Sequence, residues 1–428
     1  MKEYTINTIS EYLDVIRNNK LESYIFRGQN EPYYGIEASG FRPYKGGWNS
    51  DTFYDFNVIQ KEYYDKVICQ ISEDVKKHFI SFCQHHQLPT NLVDFTYSPL
   101  IALFFACYGK SEQPFYLSDL LHNPSKEQIE NLDKNKSSQN MLIHNLYNQL
   151  SKKNFGSNAE VYLINKARLI DISDIVIEDR ESDFFEKLAH SNDIQNKIYE
   201  KILKTFYKNQ NQVEQWVSNL IDNCEYNNAN LNGFSGLLDI EDDNNFSELK
   251  KMLINSKNKL IDIYYYLKRN MNDKDIISSE FYEFEESFIL SDEGYSNEDC
   301  TIVGAKIYLA LLINLLKIFE AYKEKCYINL DIYFIYEAPN LFERISNQKG
   351  LFVYQAYMYY KEESYGYHYL NYQNIIPDIT MKINNYKEIL CELDYLGINL
   401  ETVYRDFDSI AKSVKYKHDV KMCSRLSK

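Results

Sequence analysis

The sequence predicts an α+β protein in which one sheet draws strands from both sides of a long helical insertion. Three observations predict it. Strand-type runs occur at Tyr24-Ile25-Phe26, at 159–164, at 330–335 and at 351–354, rich in β-branched and aromatic residues. Between the second and third of these lie three long helical patterns, at about 194–222, 247–269 and 303–325. Asn- and Asp-rich stretches such as Asn227-Asn228-Ala229-Asn230 and Glu241-Asp242-Asp243-Asn244 separate them. The expected division is therefore 1–182, an inserted helical region 183–325, and 326–428.

The elements follow in order. Tyr12, Leu13, Val15 and Ile16 repeat at helical spacing after Thr8 and Ser10, both suited to capping, so a short helix is expected there. Tyr24-Ile25-Phe26 reads as a strand that delivers Arg27 at its end, with Gly28 allowing the chain to turn. Residues 53–83 carry a helical repeat through Phe53, Phe56, Val58, Ile59, Tyr63, Val67, Ile71 and Val75. Pro99 then opens an apolar helix, Leu100 to Ala106, in the favoured first-turn position; small Ala102 and Ala106 suit close packing. Residues 110–154 turn polar and repetitive, as expected of a surface excursion. No internal repeat stands out.

Composition sets outer bounds. Of 428 residues, 44% are hydrophobic and 25% charged, enough apolar material for a sizeable core and against wholesale disorder. A formal net charge of −15 argues against a protein whose main task is gripping nucleic-acid phosphates, although it leaves room for a local basic groove. The 39 Tyr, with frequent Asn, Lys and Ile, look more like the codon bias of an AT-rich genome than a binding surface. The eight Cys include no Cys-x-x-Cys pair and no grouping at zinc-ligand spacing, so no metal is expected. Cys69, Cys83 and Cys107 sit among apolar residues and read as buried free thiols. The start, Met1-Lys2-Glu3-Tyr4-Thr5, has no apolar signal segment, and the apolar run 307–319 is too short to span a bilayer. A reducing cytoplasm and no membrane partner are the expectation.

Three polar clusters set in apolar surroundings locate a candidate site: Phe26-Arg27-Gly28-Gln29, then Gln84-His85-His86-Gln87-Leu88-Pro89-Thr90-Asn91-Leu92-Val93-Asp94-Phe95-Thr96, then Arg344-Ile345-Ser346-Asn347-Gln348-Lys349-Gly350-Leu351-Phe352. Buried polar groups cost free energy unless paired, so such placement marks a site to build. These segments resemble the FRG-domain family, named for the triplet that here is Phe26-Arg27-Gly28. The central motif of that family is matched by Gln84, His85, Leu88, Pro89, Thr90, Leu92, Asp94, Thr96, Pro99 and Ala102. The closing elements are matched by Pro339, Arg344, Ile345, Gln348, Gly350 and Phe352, and by residues 396–398 and 402–407. The departures are Gln87 for Gly, Asn91 for Arg, His86 for an aromatic residue, Phe95 for Trp and Arg405 for Pro.

The order of Arg27, Thr96-Tyr97-Ser98 and Gln348 in turn resembles the layout of ADP-ribosyltransferase folds, which implies a mixed, mainly antiparallel sheet. By that resemblance Arg27 holds the phosphates or ribose of NAD, Thr96 or Ser98 braces the site, and Gln348 contacts the nicotinamide ribose. NAD is then the expected substrate, and a bacterial toxin or phage-defence effector the expected setting. His85, Asp94 and Glu343 are the acid–base candidates, while Gly28, Gln29, Thr90 and Arg344 complete the candidate binding residues. Each has a plainer reading. Arg27 could pair with Asp94 in a buried ion pair, Thr96 or Ser98 could cap the Pro99 helix, Pro89-Thr90 could shape a turn, and Arg344 and Gln348 could serve structural hydrogen bonds. Gln348 supplies a dipole where a carboxylate would stabilise a cationic sugar better. This keeps open a non-catalytic nucleotide sensor whose helical insertion recruits a protein partner; a metal-dependent nuclease is the weaker third class, for want of a dense acidic cluster.

Overall fold

The computed structural model describes residues 2–30, 35–42, 55–109, 159–178, 184–217, 219–220, 300–322, 327–339, 341–361 and 368–426. The chain opens with β1 (Lys2–Ile6) and α1 (Ile9–Asn18), whose first turn is capped by Thr8, as the sequence predicts. β2 (Tyr24–Gln29) follows. The helical repeat over 53–83 is realised as three short helices, α2 (Phe56–Val67), α3 (Glu73–Lys77) and α4 (Phe79–His85). It breaks because its apolar residues do not share one core: in α2 Phe56 is buried while Val58 is 48% exposed, and Ser72 caps a fresh start. β3 (Leu92–Thr96) leads to α5 (Pro99–Cys107), with Ser98 as its cap.

β4 (Ala159–Asn165), β5 (Leu169–Asp171) and α6 (Ser173–Glu178) precede the helices α7 (Phe184–His190), α8 (Asn192–Lys208) and α9 (Cys300–Tyr322). The helical pattern expected at 247–269 lies outside the described residues. No helix among the described residues is long and apolar enough to cross a membrane. The last third supplies β6 (Tyr327–Asn329), β7 (Tyr333–Tyr336), α10 (Glu343–Gln348), β8 (Gly350–Tyr354), β9 (Tyr357–Lys361), β10 (His368–Asn374) and β11 (Ile379–Ile383). α11 (Tyr386–Tyr395), α12 (Leu400–Tyr404) and α13 (Phe407–Leu426) follow.

Eight strands form one sheet in the order β1-β11-β4-β2-β3-β8-β7-β5. Only the outer pairs β1–β11 and β5–β7 run parallel, so the sheet is mixed and mainly antiparallel, as expected. A smaller sheet, β6-β10-β9, stands beside it. Strand alternation divides the core between the two faces. On one face Phe26, Val161, Leu163 and Met381 pack with α1, α5, α11 and α12. Beside them Phe334, Tyr336, Phe352 and Tyr354 pack with α7, α8 and α9. On the other face Ile25, Val93, Phe95, Tyr162 and Val353 meet Phe41, Phe56, Tyr357 and Tyr372.

Cys83 and Cys107 are buried free thiols, whereas Cys69 is exposed, against expectation, because it follows α2 on a turn away from the core. Burial pushes the Cys83 thiol up to about 12, which leaves it unreactive at neutral pH. The strand expected over 330–335 starts only at Tyr333, since Asp331 and Ile332 are drawn into side-chain bonds with Arg168 and Gln373.

Candidate functional site

Gly28 does not turn the chain, and Arg27 is not a strand end: both lie inside β2, paired with Val161 and Tyr162 of β4. The glycine is there for clearance. A Cβ at Gly28 would stand 1.8 Å from the Ala102 carbonyl oxygen and 2.6 Å from the Ala106 nitrogen, so α5 lies directly on the strand. Ala102 and Ala106 are buried at that contact.

Arg27 faces the other way. It is opposite Tyr162, and β2 keeps a single registered pair with β3, Phe26 with Thr96, before the two strands diverge. The Arg27 guanidinium reaches across the divergence, donating from Nη1 to the Asp94 main-chain oxygen at 2.8 Å and from Nε to Gln29 Oε1 at 3.4 Å. Among the described residues it forms no ion pair; the plain expectation of an Arg27–Asp94 salt bridge is replaced by a bond to the carbonyl. Burial lowers its pKa, the nearby Asp94 charge opposes that, and exposed Arg42 adds to the lowering. Arg42 itself donates to the Glu37 carbonyl. Gln29 is buried and donates to Gly35 O at 3.1 Å. Tyr162 donates to Glu160, and burial, with Glu160 close by, lifts its phenol well above the usual range.

Asp94 lies on the helical face, where alternation sets it apart from Val93 and Phe95. Its carboxylate is exposed and accepts from Gln84 Nε2 at 3.0 Å. Gln84 is held in turn by the Thr90 hydroxyl at 2.5 Å, and that hydroxyl accepts from the Leu92 amide at 3.1 Å. Thr90 is fully buried, so its role is to aim Gln84 and close the turn. Asp94 is therefore held by Gln84, and among the described residues no hydrogen bond joins it to His85. His85 stacks on Phe342 at 4.4 Å between ring centroids. Burial, followed by His86 and Arg344, lowers its pKa against an opposing pull from Asp406. Arg344 lies over the Tyr404 ring at 4.7 Å, and that ring meets Phe105 of α5 edge-on.

Thr96, Ser98 and Gln348 are engaged in bonds to the main chain. The Thr96 hydroxyl donates to Gln348 O at 2.6 Å and accepts from Ser98 N at 2.9 Å, while Ser98 caps α5 through the Ile101 amide. Gln348 does not open a strand; it ends α10, Lys349 takes a left-handed conformation at φ 45°, and β8 begins at Gly350. The Gln348 side chain donates to Val403 O at 3.4 Å. The candidates thus divide between the faces: Arg27 and Gln29 on one, His85, Asp94, Thr96, Ser98, Arg344 and Gln348 with the helices on the other.

Two polar constructions escaped the sequence reading. Asn91, Gln355 and Gln373 form a buried amide ladder, with Asn91 Nδ2 on Gln355 O, Gln355 Nε2 on Gln373 O and Gln355 Oε1 accepting from Ala38 N. Arg168 bonds Asp378 Oδ1 and Asp331 O, both at 2.5 Å, and stacks on Tyr333, tying β5, β7 and β11 together. Isolated Gln and Arg residues beside strands were the available signal, and it says nothing of partners more than two hundred residues away. Among the described residues no group of three or more His, Cys, Asp or Glu is arranged to hold a metal.

The fold is an α+β sheet protein whose motif residues gather where β2 parts from β3. Residues 22–114 match the family model of the FRG domain, so the chain carries an FRG domain in the segment that contains Arg27, Gln84, Asp94 and α5. Comparison with curated proteins and with solved structures gave no match.

Proposed function

We propose that the protein binds NAD or a related nucleotide, with its phosphate oxygens on Arg27. One observation carries the reading: among the described residues the partly buried Arg27 guanidinium is bonded only to a carbonyl and an amide, a second guanidinium, Arg42, is in electrostatic range, and no carboxylate is paired to either. Two such cations favour an anionic ligand, and the planar Arg fork suits pyrophosphate oxygens.

For cleavage of the nicotinamide–ribose bond or ADP-ribosyl transfer, a group must face the developing positive charge on the sugar. The sequence candidates for that role, Asp94 and Gln348, stand with the helices on the face opposite Arg27, so the enzyme reading rests on the ligand site at Arg27 itself. The second reading, a nucleotide sensor without turnover, is favoured by the commitment of Thr96, Ser98 and Gln348 to main-chain bonds.

Calorimetric titration with NAD, followed by mass spectrometry for nicotinamide and ADP-ribose, separates the two. Release of nicotinamide that disappears in Arg27→Ala supports the enzyme, and binding without release supports the sensor. Arg27→Ala is expected to lose binding while its Tm stays within a few degrees of wild type. Wild-type protein that ignores NAD and related nucleotides, or an Arg27→Ala protein that binds them undiminished, overturns both readings.

A further inference from the structure

On the helical face, away from Arg27, a second guanidinium is held without a polar partner. Arg344 is partly buried, and among the described residues it makes no hydrogen bond and no ion pair. Its plane is set instead by the Tyr404 ring at 4.7 Å. That ring is itself braced by Phe105 at 6.0 Å, from the helix that packs on Gly28. Cation–π stacking of this kind fixes the plane of a guanidinium while leaving its edge N–H groups free to donate.

The neighbouring carboxylates have other work. Asp406 accepts from the Ser409 amide at 2.7 Å and from the Ser409 hydroxyl at 2.9 Å, as the cap of α13. Asp94 accepts from Gln84. Both are close enough for their charge to act on Tyr404, and Arg344 helps the Ser409 bonds hold the Asp406 carboxyl below its ordinary value, but among the described residues neither carboxylate lies within ion-pair distance of Arg344. On the remaining side His85 lies flat on Phe342, with Arg344 and Asp406 in range of its ring. Five elements, α4, β3, α10, α12 and the start of α13, therefore converge on a fork of unused donors. The fork is half-buried yet open to solvent, so an oxyanion can reach N–H groups that no acceptor uses among the described residues.

We propose that Arg344, positioned by Tyr404, is the anchor of a second oxyanion-binding site, which takes a phosphoryl or carboxylate group in bidentate fashion. It does not depend on the nucleotide reading, because Arg27 lies on the opposite face of the sheet. Asp94 and its Gln84 amide border the site, so the ligand that fits is one whose oxyanion is accompanied by hydroxyl or amine donors.

The test is equilibrium dialysis of the full chain against labelled pyrophosphate, with a parallel arm using labelled glutarate, on wild type, Arg344→Gln, Arg344→Lys and Arg27→Gln. Wild type is expected to bind two equivalents of pyrophosphate, and Arg344→Gln and Arg27→Gln one each. Arg344→Lys keeps the charge but loses the planar fork and its stacking, so its occupancy is expected to weaken by about tenfold, a change that loss of fold would not mimic. Loss of glutarate alone in Arg344→Gln assigns the site to carboxylates; loss of pyrophosphate assigns it to phosphoryl groups. If Arg344→Gln binds both probes as wild type does, or wild type binds neither, the proposal is overturned. Loss confined to Arg27→Gln overturns it too while leaving the nucleotide reading intact, and loss confined to Arg344→Gln does the reverse.

Discussion

Gly28→Ala tests whether the glycine of the FRG motif serves a turn or a contact. The added Cβ would meet the Ala102 carbonyl oxygen at 1.8 Å, and both partners are backbone, so no side chain can swing aside. Relief to an ordinary contact needs α5 to move off β2 by ~1.5 Å, and overpacking in a close-packed interior costs about 1–3 kcal/mol, with backbone clashes at the upper end or beyond. A loss of about 3 kcal/mol lowers the Tm by roughly 6–12 °C in a domain of ordinary size. The assay is urea unfolding followed by circular dichroism, on Gly28→Ala alone and combined with Ala102→Gly. Because the obstacle is a carbonyl rather than the Ala102 methyl, the second substitution is expected to give no rescue. A loss below about 1 kcal/mol, or recovery in the double variant, would refute the contact argument and restore the turn reading.

Other outcomes follow from the same geometry. Gln87 stands at φ 63° just after α4, so Gln87→Gly is expected to raise stability by roughly 0.5–1 kcal/mol, read as a shift in the urea midpoint. Thr90→Val keeps the shape but strips the hydroxyl that serves Gln84 and Leu92; a loss of about 1–3 kcal/mol is expected in the same assay. Burial holds His85 and His78 below their ordinary imidazole pKa, so the fold favours their neutral forms. Their contribution is present above the unfolded value near 6.5 and falls away as pH drops below it. Unfolding measured from pH 7.5 to 5 should show that decline, with a shallower slope in His85→Gln and the remainder carried by His78.

Much of the fold was legible because its signals are local. Ser98 and Pro99 announce a helix start whatever surrounds them, and an apolar run such as 100–106 must be buried somewhere. The strands at 159–164 and 351–354 alternate strongly enough to be read directly. The spacing over 53–83 misled because periodicity records which residues share a face, not whether that face meets a core. β1, β3, β5, β6, β9, β10 and β11 passed unread, being short or rich in polar residues, and stable only through neighbours distant in sequence.

The sequence by itself determined the class of fold and the FRG segment, and the motif residues it singled out, Arg27, Gln84, His85, Asp94 and Arg344, lie where β2, β3, α4 and α10 meet. Tertiary structure alone decided how they divide. A strand sends successive side chains to opposite faces, and the register of Phe26 with Thr96 puts Arg27 on one side and the Asp94 carboxylate on the other. Linear spacing cannot reveal that division, because register is set by pairing between segments about seventy residues apart, and a slip of one residue would exchange the faces.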